Sequence, residues 1–172
     1  MRKLALTFAV CAAFAAAHAQ LTGIHVFAGY GWSGSVPNTT TGSTHLVGPE
    51  IGFDLPLAHL TQVEFDFRAD ILLGGQLSHG SDLDGNVYRF LAIARTSIPG
   101  SKVSTYAGVG WASAQARAGE FASFNGSVTQ LGVSVPVGAG PASRLAPTLE
   151  IGTTIAGKSG LGGYSICLGL HF

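Results

Sequence analysis

The chain has 172 residues, equal numbers of basic and acidic residues, and a charged fraction of only 10%. Soluble domains usually carry about 25% charged residues, so this composition is unusual for a protein whose whole surface meets water. The length suits one domain. The sequence contains no basic patch, and we therefore exclude nucleic acid as an expected partner.

Residues 1–19 have the pattern of a secretory signal peptide. Arg2-Lys3 precedes an apolar run over residues 4–17, and Ala17-His18-Ala19 matches an A-x-A cleavage site. The apolar run is too short for a membrane-spanning helix, which needs about 20 residues. We expect export, cleavage after residue 19 and a single mature domain over residues 20–172.

The mature region alternates between segments of strand-like periodicity and turn-rich connections. Longer polar connections, such as SGSVPNTTTG and GGQLSHGSDLDG, alternate with short ones, such as PLAH and PGSK. Long loops at one end and tight turns at the other are typical of outer-membrane barrels. Eight strands are predicted, over residues 24–33, 44–55, 60–73, 86–98, 103–113, 126–138, 145–156 and 163–172.

The third predicted strand shows the sharpest contrast between its two faces. In VEFDFRADILL, the apolar residues fall on one face, and Glu64, Asp66, Arg68 and Asp70 fall on the other. A period of two with this contrast indicates a strand between apolar and polar surroundings. It leaves open which face points outward, because a soluble lipocalin-type barrel also has eight strands, with its apolar face inside.

Two features favour an apolar outer face. The polar faces of several strands carry glycine instead of charged residues, which suits the crowded lumen of a narrow barrel. Aromatic residues lie near strand ends on the apolar face, as in the interfacial girdles of membrane barrels. We therefore predict an all-β, eight-stranded antiparallel up-and-down transmembrane β-barrel. The aromatic residues are Tyr30, Trp32, Tyr88, Phe90, Trp111, Tyr164 and Phe172.

The last ten residues, GYSICLGLHF, resemble the C-terminal assembly signal of small bacterial outer-membrane β-barrels of the OmpA-like family. Tyr106-Ala107-Gly108-Val109-Gly110 also resembles strands of that family. The resemblance implies an outer-membrane, porin-like location in a Gram-negative cell envelope, assembly by periplasmic chaperones and the barrel assembly machinery, and contact with lipid and lipopolysaccharide. We expect a monomer, and we expect the chain to depart from full-length OmpA in having no periplasmic domain after the barrel. The predicted signal residues are Tyr164, Ile166, Leu168, Leu170 and Phe172.

Most charged residues of the predicted strands fall on the inward face. If the third and fourth strands form a hairpin, one register places Asp70 opposite Arg89 and Glu64 opposite Arg95, and opposed charges help to fix a register. We predict both pairs in the lumen, as a polar plug of a barrel too narrow for general diffusion. A charged pore or a proton-linked site is the alternative. The other predicted lumen charges are Glu50, Asp54, Asp66, Arg68 and Glu150.

The sequence offers little support for catalysis, a metal or a cofactor. The H-x-S pattern of outer-membrane lipid A deacylases does not occur, and Ser78, His79 and Asp82 form a loop constellation that a solvated polar loop explains. The histidines show no metal-ligand spacing. The leading hypothesis is a non-enzymatic structural or surface-interaction protein with four extracellular loops. A lipid A-modifying deacylase or acyltransferase is the alternative.

Overall fold

The structure is a computed structural model that describes residues 23–38, 42–76, 85–116, 124–137 and 147–172. Each strand pairs antiparallel with the next, and β8 pairs with β1, which closes the barrel. The predicted fold class is confirmed. The elements are β1 (His25–Asn38), β2 (Gly42–Leu60), β3 (Val63–Gln76), β4 (Gly85–Ser97), β5 (Ser104–Ala116), β6 (Phe124–Pro136), β7 (Pro147–Ala156), a 3₁₀ turn (Ser159–Leu161) and β8 (Gly163–His171).

β1 and β2 are longer than the sequence predicted. The polar stretch after Trp32 was expected to be a loop, but Ser35–Asn38 continue β1 after an irregularity in the register. At the other end of β2, the ladder continues past a second irregularity between Pro56 and Ala58. A bulge absorbs extra residues and lets pairing resume, and a proline without an N–H is tolerated there.

The two ends of the barrel differ in their connections. At one end, Phe172 N donates a hydrogen bond to Ile24 O at 2.9 Å, and Gly23 N donates one to Phe172 O at 2.7 Å. We call this the terminal end; β2, β4 and β6 end there, and β3, β5 and β7 begin there. At the opposite end, the loop end, β1, β3, β5 and β7 end and β2, β4, β6 and β8 begin. Among the described residues, no helix is long and apolar enough to cross a membrane.

The outer face is apolar, and the buried charged residues lie on the inner face. Leu168 is 60% exposed and Val109 is 63% exposed on the outside, whereas Arg68 is 1% exposed in the lumen. A lipocalin-type barrel would have the opposite arrangement, so the soluble-barrel alternative is wrong in its geometry. The five residues of the C-terminal signal all lie on the outer face and are exposed: Tyr164, Ile166, Leu168, Leu170 and Phe172.

The aromatic residues form cross-strand neighbours on this outer face. Trp32 lies opposite Tyr164 across the β1–β8 seam, and Phe90 lies opposite Trp111 across β4–β5. Phe172 is exposed at the terminal end. Aromatic cross-strand pairs stabilise a sheet, so these residues contribute to strand pairing as well as to the character of the surface.

Candidate functional site: a charged network in the barrel lumen

The inward-facing charges form two groups stacked along the barrel axis. The terminal cluster comprises His25, Asp54, Arg68, Arg95 and Glu150 and lies towards the terminal end. The central cluster comprises Glu50, Asp70 and Arg89 and lies closer to the loop end on β2, β3 and β4. All eight side chains are buried. Alternation along each strand explains this, because inward-facing residues follow one another at every second position.

Arg68 and Arg95 bridge two carboxylates in the terminal cluster. Arg68 donates to Asp54 through Nε at 2.6 Å and Nη2 at 2.7 Å, and Nη2 also lies 2.9 Å from Glu150 Oε2. Arg95 donates to Asp54 Oδ2 at 2.7 Å and to Glu150 Oε1 at 3.0 Å. Every carboxylate oxygen of Asp54 and Glu150 therefore accepts from a guanidinium, which is what a buried charge requires.

Two aromatic rings enclose the head group of Arg68. Its Cζ lies 4.5 Å from the ring centroid of Phe27 and 4.6 Å from that of Tyr106, within the range of cation–π attraction. Glycines provide the space for these rings. A Cβ on Gly52 would lie 2.4 Å from Phe27 Cζ, and one on Gly132 would lie 2.2 Å from Tyr106 Cζ. Glycine is thus required by packing at positions 52 and 132.

The central cluster is organised around Arg89. Its Nε donates to Asp70 Oδ1 at 2.5 Å, its Nη1 donates to Thr154 Oγ1 at 3.3 Å, and its Nη2 lies 2.6 Å from Glu50 Oε2. The last contact is close enough for an ion pair but is not aligned as a hydrogen bond. Arg89 thereby joins β2, β3, β4 and β7 across the lumen.

The predicted charge pairs differ in outcome. Asp70 lies opposite Arg89 in the β3–β4 ladder and forms an ion pair with it. Glu64 lies opposite Arg95 in the same ladder, but the Arg95 guanidinium contacts Asp54, Asp66 and Glu150 instead. The correction has a physical reason. Glu64 is only half-buried near the terminal end, whereas the other carboxylates are desolvated in the lumen, where charge attraction is stronger.

Sequence reasoning missed His25. The scattered histidines gave no metal-ligand spacing, yet the fold brings His25 Nδ1 to 3.0 Å from Asp54 Oδ2 and 3.7 Å from Glu150 Oε1. Its ring also stacks on His171, with centroids 4.1 Å apart. The available signal was positional, because His25 shares the inward face of β1 with Phe27.

His25, Asp54 and Glu150 could in principle hold a metal ion, since one ligand atom from each lies within 4.8 Å of the others. The same carboxylate oxygens already accept hydrogen bonds from Arg68 and Arg95. A divalent cation would have to displace two guanidinium groups or share the site with two positive charges. The donor set therefore fits an internal ion-pair network better than a metal centre.

Thr148, His25 and Asp54 are arranged like a nucleophile, a base and an orienting acid. His25 Nε2 lies 3.2 Å from Thr148 Oγ1, and His25 Nδ1 lies 3.0 Å from Asp54 Oδ2. A catalytic reading requires a nucleophile that a substrate can approach, but Thr148 is 6% exposed. The arrangement satisfies buried polar atoms. Ser78, His79 and Asp82, the sequence-derived constellation, lie outside the described residues.

The lumen is not polar along its whole length. Beyond the central cluster, towards the loop end, the inward side chains form a layer of buried apolar residues. The prediction of a polar plug did not include this layer, which fills the loop-end part of the lumen with apolar side chains. The apolar layer comprises Leu46, Leu72, Val87, Ala112, Ala114, Val128 and Leu161.

A closed, eight-stranded antiparallel barrel with this inside-out distribution has the architecture of small bacterial outer-membrane barrels. No protein-family model and no curated protein matches the chain. Among solved structures, it is similar to Neisserial surface protein A, with 17% identity, a TM-score of 0.55, and coverage of 87% of this chain and 97% of that one. It is also similar to Ail, the attachment invasion locus protein of Yersinia pestis, with 12% identity, a TM-score of 0.52, and coverage of 88% and 99%. At these identities the similarity shows the fold.

Proposed function

We propose that this protein is a non-enzymatic β-barrel of the bacterial outer membrane, with a structural or surface-interaction role carried by the connections at its loop end. One observation carries the proposal. The strands expose their large apolar side chains outward and bury eight clustered ionisable side chains inside. Soluble monomers rarely expose contiguous apolar patches beyond a few hundred Å², so a continuous apolar belt suits a lipid environment.

Closure of the barrel supports the same proposal. Hydrocarbon offers no partner for backbone N–H and C=O groups, and closed barrels and helices satisfy them internally. The β1–β8 ladder, which runs from His25–His171 to Ser33–Gly163, removes the last open edge. Under this proposal the terminal end faces the periplasm and the loop end faces outward, since the longer connections of such barrels are extracellular.

The filled lumen argues against general diffusion. Arg68 is enclosed by Phe27 and Tyr106. The apolar layer fills the lumen between the central cluster and the loop end. Barrels of eight strands are just wide enough to be filled by side chains. The scaffold is therefore rigid, and rigid scaffolds that present loops are typical of binding proteins.

The similar structures are in keeping with a surface role. One is named a surface protein, and the other is an attachment protein solved with the heparin analogue sucrose octasulfate. Those names supply no ligand for this chain. Its contact residues would lie in the loop-end connections, which fall largely outside the described residues.

The test combines topology and lipid chemistry in the native host. An epitope inserted within residues 77–84 should be detected by antibody on intact cells, whereas one inserted at Lys102, in the β4–β5 turn at the terminal end, should require permeabilisation. Deletion of the gene should leave the mass spectrum of lipid A unchanged. A lipid A species that changes mass on deletion, and is restored by the wild-type gene, would instead favour the deacylase or acyltransferase alternative.

A further inference from the structure

A groove on the outer face lies at the loop end, across the seam between β1 and β8. Its volume is about 680 Å³. Trp32 and Tyr164, which lie opposite each other in the β1–β8 ladder, both line it, and Ile155 of β7 extends the lining. Tyr164 is 68% exposed, more than any other large apolar side chain that the structure describes. The groove therefore opens onto the apolar belt.

The irregularity in the β1–β2 register adds polar groups to the groove. The register shifts between Trp32 and Ser35, and at that point Leu46 N donates to Ser33 Oγ at 2.7 Å. The exposed His45 donates through Nδ1 to Ser33 O at 3.1 Å. Ser33 and His45 both line the groove. Apolar and polar groups thus meet within one groove, which is the arrangement that an amphiphile requires.

Lys158 adds a positive charge at the edge of the groove. It is exposed in the connection between β7 and β8, and Ala156 and Gly162, which flank it in the chain, line the groove. Outside the lumen, Lys158 is the one charged residue that the structure describes at the loop end, since Glu64 and Lys102 lie near the terminal end. The other described carboxylates lie in the lumen. The groove therefore favours an anionic partner.

The position of the groove on the barrel narrows the choice of partner. Under the proposed function, on which this step rests, the apolar belt lies in lipid and the loop end faces outward. A partner that fits must then place acyl chains on the belt and an anionic head group beside Lys158. Tyrosine and tryptophan are common at such interfaces because one end of the side chain is apolar and the other is polar, and their ring faces also pack against the apolar faces of sugars.

We propose that the groove binds one phosphorylated glycolipid of the outer leaflet. The phosphate lies beside Lys158 and His45, where ionised donors form charge-assisted hydrogen bonds. Nδ1 of His45 is already used, so the ring contacts the phosphate through Nε2, which donates when the imidazole is protonated. The sugar rings pack on Trp32 and Tyr164, and the acyl chains follow Ile155 onto the apolar belt.

The test is binding of diphosphoryl lipid A to the mature barrel in non-ionic detergent, measured by native mass spectrometry. The wild type should bind lipid A at least about tenfold more tightly than phosphatidylglycerol, which offers a phosphate and acyl chains without a phosphorylated sugar. Lys158→Ala should weaken lipid A binding about tenfold, the loss expected for one charge-assisted hydrogen bond, and Lys158→Glu should weaken it further. Lys102→Glu, at an exposed lysine near the terminal end, is the matched control and should bind as the wild type does.

A second readout locates the bound lipid. Trp111→Phe leaves Trp32 as the single tryptophan of the chain, and the emission of Trp32 should change saturably as lipid A is added. The change should be lost when Lys158→Glu is added to this background and kept when Lys102→Glu is added instead. Equal changes in the two double variants would overturn the site.

The outcomes separate this site from the proposed function. Each protein is first recovered from the outer-membrane fraction and checked for a band that shifts on heating in SDS; a wild type that fails there overturns the location and the site together. Lys158 is exposed, so its substitution should not disturb folding. If the wild type passes, the site alone is overturned when Lys158→Glu binds lipid A as tightly as Lys102→Glu does, or when phosphatidylglycerol binds the wild type as tightly as lipid A.

Discussion

Arg68 on β3 and Asp54 on β2 lie opposite each other. The Arg68 guanidinium donates two hydrogen bonds to the Asp54 carboxylate, at 2.6 and 2.7 Å. Both side chains are almost completely buried. A two-point contact of this kind is geometrically specific. It therefore fixes the β2–β3 register from inside a barrel whose described outer face is mainly apolar.

Removal of Arg68 should destabilise the barrel strongly. Arg68→Ala leaves Asp54 and Glu150 with a single guanidinium partner, Arg95, and breaking a buried ion pair from one side costs about 3–5 kcal/mol. Urea unfolding in lipid vesicles measures the loss. Adding Asp54→Asn to Arg68→Ala should recover part of it, and Lys102→Ala, at an exposed turn residue, should change stability little. A double variant no more stable than Arg68→Ala would contradict the account.

Gly132→Ala should destabilise through steric conflict with Tyr106. The added Cβ would lie 2.2 Å from Tyr106 Cζ, and overpacking of this kind typically costs about 1–3 kcal/mol. The same unfolding measurement applies. Gly157→Ala, where a Cβ would meet nothing within 4 Å, is the control. Truncation of the ring by Tyr106→Leu should relieve the effect of Gly132→Ala, and equal costs in both backgrounds would refute the steric explanation.

A charge on the outer face should be costly according to its depth in the bilayer. Leu168→Arg, on the outer face of β8, should cost about 2–4 kcal/mol in a lipid bilayer if that position lies near the midplane, falling to about 0–1 kcal/mol at an interface. Leu57→Arg is the comparison, since Leu57 is also exposed but lies in β2 near the terminal end. Equal costs at both positions would show that the outer face does not lie against lipid as proposed.

Metal ions should not stabilise the barrel. His25, Asp54 and Glu150 are already committed to the ion-pair network with Arg68 and Arg95. Thermal unfolding of the detergent-solubilised protein should therefore give the same midpoint with EDTA and with Zn²⁺. A Zn²⁺-dependent rise in the midpoint, abolished by His25→Gln, would reveal a metal centre after all.

The fold could be predicted because its main determinants are local. The alternation in VEFDFRADILL sets the two faces of β3, and the opposed charges Asp70 and Arg89 match the β3–β4 register that the structure shows. Glycines on the polar strand faces, Gly52 among them, predicted a crowded lumen, and Gly52 does make room for Phe27.

The details of the site could not be predicted because they depend on contacts across the lumen. Arg95 lies opposite Glu64 on the neighbouring strand, yet it pairs with Asp54 and Glu150 from strands that only barrel closure brings near. The position of Leu161 could not be predicted either, since nothing in its local sequence indicates that this connection places a side chain in the apolar layer. The periodicity of a strand predicts which face a side chain lies on, but it does not predict which residues that side chain contacts across the lumen.

The central claim is a closed barrel with its apolar face towards lipid, and the most direct measurement is migration in SDS gels of the protein from outer-membrane fractions, with and without boiling. The account predicts recovery in the outer-membrane fraction and a band that shifts on heating, because a closed barrel resists SDS until it is boiled. Recovery as a soluble periplasmic protein whose band does not shift would contradict it.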